Sequence, residues 1–366
     1  MEKFISMPLV ALAIILFILS AKFENLKAVE SNDLSIGTVS YLSYETILDP
    51  DDGLQGGAFK VNRSYLTVKK QLMKNLGFRI TVDASQDETG DFKARLKYVY
   101  ALFTFDDFYF ITKPNIEVGM AHAPWLDFEE HINYYRMQGT MFVERAGLFN
   151  SADLGFTVAG YLGGEMDDEY KKKVNKKYAG KYGSFAFGLY NGGGYHAKEA
   201  NGNKVFEGRL TVRPLPEIIP GLQLSYFGIF GQGNKVYGTD SIPDWQTNVA
   251  MLSYEHQYFT ITGQYVSGKG NQKGDFVQNT YEATGVSGFS GFAEIKPDEN
   301  WRGIFRFDNF DSNTDLDNNE SQRMIVGIGY DFGGHNVLIL DYDKKMYKDE
   351  LKDDEDKIKL TMQINF

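Results

Sequence analysis

Basic side chains recur at alternate positions in several stretches of the chain. Lys93, Arg95 and Lys97 alternate with apolar residues. In an extended strand, side chains two positions apart share one face, so these cations line a common surface. A surface of this kind facing water attracts anions. The same reasoning selects a set of basic residues on the water-facing side: Arg79, Lys93, Arg95, Lys97, Arg302, Arg306 and Arg323.

A second charged group lies in the long connection from Ala123 to Ser151. This stretch mixes aromatic residues with carboxylates and arginines. Such a composition suits a loop that folds into an internal space and narrows it, although an ordinary surface loop is the alternative. The charged residues that we expect at the narrowest point are Glu129, Glu130, Arg136, Glu144 and Arg145.

Catalytic chemistry finds little support. The five histidines have no metal-ligand spacing, and no G-x-S-x-G or phosphate-loop motif is present. The Asp/Asn-rich stretch 308–320 offers oxygen ligands for Ca²⁺ but lacks the spacing of an EF-hand, so a solvated acidic loop is favoured. We therefore predict no enzyme activity, no cofactor and no metal. The net charge of −11 also disfavours nucleic-acid binding.

Period-two alternation predicts the elements that position these side chains. The last residues, IKLTMQINF, show it most clearly, with Ile358, Leu360, Met362, Ile364 and Phe366 on one face. The residues between them are polar. A strand of this type has one face in an apolar medium and the other in water. The 28 Phe, 23 Tyr and 38 Gly also favour strands and tight turns.

The pattern repeats about sixteen times, and short connections alternate with long ones, as in outer-membrane barrels. We therefore predict an all-β fold, a transmembrane antiparallel β-barrel whose third extracellular loop folds inward. A barrel of this size is too wide for side chains to fill, so its lumen holds water. One connection, 164–180, is long and highly charged although parity places it in the periplasm. The strands are predicted to begin near residues 34, 59, 76, 92, 115, 153, 180, 204, 221, 247, 257, 280, 300, 321, 335 and 357.

The N-terminus has the features of an export signal. Lys3 precedes an apolar run from Leu9 to Leu19, which is short for a membrane span but suits a signal peptide. Small residues permit cleavage after Ala21 or Ala28. We expect residues 1–28 to be a signal peptide and residues 29–366 to form the barrel.

Several segments resemble the phosphate-selective porin O/P family. ARLKYVYALF (Ala94–Phe103), IEVGMAHAPW (Ile116–Trp125), DLGFTVAG (Asp153–Gly160) and the N-G-x-G and R-L-T-x-R-P motifs within Leu189–Pro216 are similar to its strands, and the chain ends on Phe366. The resemblance implies a homotrimeric channel of sixteen strands with a folded-in loop. It does not extend to the family's full set of lumen arginines and lysines, since only Lys93, Arg95 and Lys97 match a basic strand.

These features together predict a porin of the outer membrane, in contact with its lipid. Small hydrophilic solutes would diffuse through its water-filled lumen, with a mild preference for anions such as phosphate. Two alternatives remain open at this point. The barrel could be a sheath for a partner such as a multihaem cytochrome, or it could anchor surface-binding loops.

Overall fold

The computed structural model describes residues 34–49, 53–87, 89–349 and 351–366. The predicted signal peptide, residues 1–28, lies outside these ranges. None of the described residues belongs to a helix that is long and apolar enough to cross a membrane.

The described residues form sixteen strands, as predicted. Each strand pairs with its neighbours in the chain, and β1 pairs with β16 to close the barrel. Every pairing is antiparallel, including the closing one, which runs from Val39↔Asn365 to Ile47↔Lys357. The strands are β1 (Leu34–Asp49), β2 (Gly53–Met73), β3 (Leu76–Gln86), β4 (Phe92–Thr104), β5 (Ile111–His122), β6 (Ala152–Leu162), β7 (Gly183–Tyr190), β8 (Val205–Val212), β9 (Leu222–Gln232), β10 (Asp244–His256), β11 (Phe259–Lys269), β12 (Gly285–Ile295), β13 (Trp301–Asp311), β14 (Glu320–Asp331), β15 (Val337–Tyr347) and β16 (Glu355–Asn365).

The alternation along each strand separates two faces of the barrel wall. In β16, Leu360 is 43% exposed on the outer face, whereas the neighbouring Lys359 and Thr361 are buried on the inner face. Large apolar side chains on the other strands are exposed in the same way, among them Leu252, Ile261, Phe289 and Ile328. A soluble protein rarely leaves so continuous an apolar surface uncovered.

The two ends of the barrel differ in their connections. At one end, called the turn end, β2–β3 and β10–β11 are joined by two residues each. At the other, called the loop end, most connections are longer, and the longest is 123–151. Exposed aromatic side chains ring the turn end, as in the interfacial girdles of membrane barrels. They include Phe108, Tyr109, Tyr258, Trp301, Phe332 and Phe366.

Strand β4 departs from simple alternation near its middle. Thr81 of β3 pairs with Tyr98 of β4, but Val82 pairs with Leu96, so Lys97 is an extra residue in β4. A β-bulge of this kind reverses the facing of the residues beyond it. Lys97 and Tyr98 are therefore both buried on the inner side. Simple alternation would place Tyr98 on the outer face with Leu96, and the bulge turns it inward instead.

Helical structure in the described residues is confined to two connections. The loop 123–151, called the inner loop, contains α1 (Leu126–Glu130), a 3₁₀ turn (Arg136–Gln138) and α2 (Phe142–Arg145). The connection between β6 and β7, residues 163–182, contains α3 (Asp168–Lys173) and is called the turn-end segment. Both connections fold into the barrel rather than away from it.

Candidate functional site

The inner loop packs against one side of the barrel interior. Its apolar side chains are almost fully buried and form a cluster with inward-facing residues of β9 to β13. Trp125 stacks on Phe227 with ring centroids 5.5 Å apart, and Phe142 meets Phe310 edge to face at 6.2 Å. Burial of these side chains holds the loop inside the barrel. The loop contributes Trp125, Leu126, Phe128, Ile132, Met141, Phe142, Val143, Leu148 and Phe149.

The part of the wall that the inner loop contacts is apolar, although a polar lumen was expected. Phe227 and Ile229 of β9, and Trp245, Val249 and Met251 of β10, point inward and are buried. Sequence reasoning missed this surface. A usable signal was present, since the loop-end half of β9, from Phe227 to Phe230, is apolar on both of its faces, which an ordinary lumen-lining strand is not.

Arg136 is the centre of a charged cluster on the free side of the inner loop. Its guanidinium donates to Glu144 in a bidentate pair at 2.6 and 3.1 Å, and to Glu130 at 2.5 Å. Its Nε donates to the hydroxyl of Tyr65 on β2 at 3.2 Å. Three of the residues predicted at the narrowest point thus meet in one cluster that bridges from the loop to the opposite wall.

Glu129 has a different role from its neighbour Glu130. Its carboxylate accepts hydrogen bonds from Trp125 Nε1 at 2.8 Å and from Gln264 Nε2 at 2.7 Å. Burial raises the pKa of Glu129 to about 7, although these two donors favour the ionised form. Glu129 therefore anchors the loop to β11 rather than facing the open space.

Arg145 joins the loop to β13. It forms an ion pair with Asp308 and donates to the carbonyl of Thr140 at 2.7 Å. Arg306 lies beneath, almost fully buried, and donates to the same carbonyl at 3.2 Å. Both arginines serve the contact between loop and wall.

The inner loop also contacts the wall on the side of β14 to β16. Lys359 donates to the carbonyl of Gln138 at 2.8 Å and to Asp343 at 2.7 Å. Arg323 forms a bidentate pair with Asp343, with its Nε at 2.6 Å. Arg323 thus points inward and has a carboxylate partner.

Strands β2 to β4 carry a column of cations and tyrosines along the inner wall. Lys97 lies over the Tyr65 ring, with its Nζ 4.6 Å from the ring centroid. Arg79 lies over Tyr98 at 4.7 Å, and Arg95 is partly buried one level nearer the loop end. The structure adds Arg63 and Lys69 of β2, which were not predicted. The alternation of Arg63, Tyr65, Thr67 and Lys69 was the signal that could have found them.

Two of the predicted cations lie near the ends of their strands. Lys93 pairs with Asp87 at 2.5 Å near the turn between β3 and β4, and its side chain is 58% exposed. Arg302 donates to the carbonyls of Asp298 and Glu299 in its own turn, and to Asp331 at 3.2 Å. Each sits at the end of its strand, so the adjacent turn supplies its partners.

The turn-end segment explains the connection that parity placed in the periplasm. It enters the barrel from the turn end and meets the inner loop. Lys177 Nζ lies 2.5 Å from Asp127, and Tyr178 donates to the same carboxylate. Asn175 donates to the carbonyl of His131 and to Glu255 of β10, both at 2.8 Å. Although burial opposes ionisation, Lys177 and two histidines hold the pKa of Asp127 well below its usual range.

Two cavities open on either side of this segment. One, of about 830 Å³, is lined by Lys171, Lys172, Lys173 and Lys176 of the segment and by strands near β12 to β16. The other, of about 450 Å³, lies against β2 to β8. Within the described ranges, no group of three or more histidine or acidic residues is placed to hold a metal ion.

Solved structures with this architecture are outer-membrane proteins, among them a channel and a porin. The outer membrane channel DcaP of Acinetobacter baumannii matches with a TM-score of 0.60 and 10% identity, covering 93% of this chain and all of that one. An anion-selective porin from Comamonas acidovorans matches with a TM-score of 0.59 and 10% identity, over 91% and 99% of the two chains. A trimer form of OmpT, an outer membrane protein of Vibrio cholerae, matches at 0.56 with 11% identity, over 92% and 100%.

No protein-family model and no curated protein matches the sequence. Identities near one in ten carry information about the fold alone. The chain has the closed sixteen-stranded antiparallel β-barrel fold that outer-membrane porins share.

Proposed function

We propose that the protein is an outer-membrane porin through which small hydrophilic solutes diffuse passively, with a mild preference for anions. The observation that carries the proposal is the division of the wall into an apolar outer face and an inner face rich in charges. Only lipid on the outside and water on the inside satisfy both faces of a closed barrel. The turn end then faces the periplasm and the loop end faces the exterior.

The inner loop narrows the lumen in this proposal. The Arg136 cluster spans from the loop to Tyr65, so solutes that pass between loop and wall meet this cluster and the column on β2 to β4. Tyrosine rings and cations alternate along that column. Anions are favoured there because Arg95, Lys97 and Arg79 follow one another from the loop end to the turn end.

Conductance in planar lipid bilayers tests the channel itself. We expect stepwise current increases when purified protein inserts, and a membrane that stays silent would remove the proposal. For selectivity, the reversal potential in a KCl gradient should shift toward cations in Arg95→Glu and Lys97→Glu. Lys348→Glu, on an exposed residue at the loop end, is the control and should leave the reversal potential near that of the wild type.

Phosphate preference and a homotrimeric assembly complete the proposal. The resemblance to phosphate-selective porins motivates the first, and competition between phosphate and nitrate in the same bilayers tests it. Cross-linking in native outer membranes tests the second, with a three-chain product expected. A product limited to one chain would contradict the trimer while leaving the channel intact.

The sheath alternative has less support. The inner loop and the turn-end segment already occupy interior space that a partner inside the barrel would need. A haem protein that co-purifies in equal amount would restore that alternative.

A further inference from the structure

The smaller of the two cavities has a composition unlike the rest of the lumen. It lies near the turn end, between the inner faces of β2 to β8 and the place where the turn-end segment meets the inner loop. Aromatic and aliphatic side chains supply much of its surface. They include Tyr100, Leu102, Phe105, Pro124, Tyr161 and Tyr178. We call this cavity the tyrosine chamber.

Two cations share one level of the chamber wall. Lys69 of β2 pairs in register with Arg79 of β3, which pairs in register with Tyr100 of β4. Arg79 contacts Thr81 at 3.0 Å and His122 at 3.3 Å. Across the described residues, neither Lys69 nor Arg79 forms an ion pair with a carboxylate. The two positive charges are thus side by side without an acid between them.

The acids that line the chamber are already engaged. Glu117 accepts from the ring of His122 at 2.7 Å and from its backbone N–H at 3.0 Å. Asp127 is taken by Lys177 and Tyr178. The chamber therefore has positive charge that its own residues leave unneutralised.

We propose that the tyrosine chamber binds an aromatic monocarboxylate. This proposal rests on the proposed channel function and names a substrate class for it. The carboxylate lies between Lys69 and Arg79, and the ring lies among the tyrosines and Leu102. The volume of about 450 Å³ accommodates one ring with its carboxylate and water. Lys177 and Tyr178 of the turn-end segment form one side of the chamber.

The apolar surface decides between this class and a small inorganic anion. A hydrated phosphate gains nothing from Leu102, Phe105 or Pro124, whereas an aromatic ring removes apolar surface from water against them. Aromatic rings also pack favourably on tyrosine. The unneutralised cations exclude an aromatic amine from the same position.

Block of the channel current tests the proposal. Benzoate, acetate, phosphate and uncharged methyl benzoate are added in turn to both sides of bilayers that contain the wild-type protein in dilute KCl. Because the ring buries apolar surface, benzoate should half-block the current at a concentration about tenfold or more below that of acetate. Methyl benzoate should not block, since it lacks the charge.

Substitutions locate the site. Lys69→Gln should weaken the benzoate block about tenfold, as expected for loss of one charge-assisted hydrogen bond, and Lys69→Arg should restore it. Lys69 is exposed within the lumen, so the change does not disturb packing. Lys345→Gln, at the loop end of β15, is the matched control. Benzoate should block this variant at the same concentration as the wild type.

The outcomes separate the two proposals. A wild-type protein without any conductance overturns the porin function. Normal conductance with equal block by benzoate and acetate, or stronger block by phosphate, overturns only the aromatic carboxylate. Benzoate block that Lys69→Gln leaves unchanged overturns the assignment to this chamber.

Discussion

Two regions of the inner wall of this barrel differ in composition. From β9 to β13 it is largely apolar where it meets the inner loop, with Trp245, Val249 and Val286 fully or almost fully buried. From β2 to β4 it is a column of cations and tyrosines. The first region provides the apolar burial that holds the inner loop in place. The second region leaves polar groups along the part of the lumen that the loop does not fill. The contrast shows how one closed wall can both anchor a plug and leave a route beside it.

Removal of Trp125 should have the largest effect, because it weakens the apolar contact that holds the inner loop. Trp125→Ala removes a fully buried ring that stacks on Phe227 and donates to Glu129. The packing of the loop should weaken by about 3 to 5 kcal/mol. Single-channel conductance should rise and become noisier, and the loop should become sensitive to protease.

Trp301→Ala is the matched control, because Trp301 is 49% exposed on the outer face. Its conductance should resemble that of the wild type. Equal effects of the two substitutions would contradict an apolar anchor on the β9 to β13 side.

Substitution of Arg136 tests the region lined by β2 to β4. Arg136 with Glu130 and Glu144 sums to one negative charge (+1 − 2), and Arg136→Gln leaves two. Permeability to anions relative to cations should therefore fall about threefold or more, as read from the reversal potential. Glu144→Gln neutralises the cluster and should shift the potential in the opposite direction. Shifts of the same sign in both variants would place the path away from this cluster.

Lys177 tests the link between the turn-end segment and the inner loop. Lys177→Met removes the ion pair with Asp127 but keeps the aliphatic stem. Because Tyr178 and Asn175 still hold the segment, conductance should change by less than about twofold. Trypsin should cleave faster after the nearby lysines of α3. An unchanged cleavage rate would show that Asp127 does not hold the segment in place.

An exposed ion pair at the loop end should have the smallest effect. Lys348 and Glu320 lie 2.9 Å apart, with side chains 53% and 34% exposed. Lys348→Ala should change unfolding free energy by less than about 1 kcal/mol and leave conductance intact. A larger change in heat-induced unfolding on gels would point to a network that extends beyond this pair.

The sequence by itself determined the wall of the barrel. Period-two alternation depends only on which side chains each medium tolerates, so sixteen strands could be located from local pattern, most of them within a few residues. The long, highly charged connection 164–180 was also visible, and in the folded chain it contains α3. The long loop 123–151 was identified from its length and composition.

The tertiary structure decided which charges meet. Sequence parity placed Arg306 and Arg323 inward, but only the folded chain pairs Arg323 with Asp343 and covers Arg306 with the inner loop. The bulge at Lys97 turned Tyr98 inward, and no local pattern marks a register shift between two strands. Contacts between the inner loop and the turn-end segment join residues about fifty positions apart, such as Asp127 and Lys177. Such pairings depend on barrel closure and register, which period-two alternation does not encode.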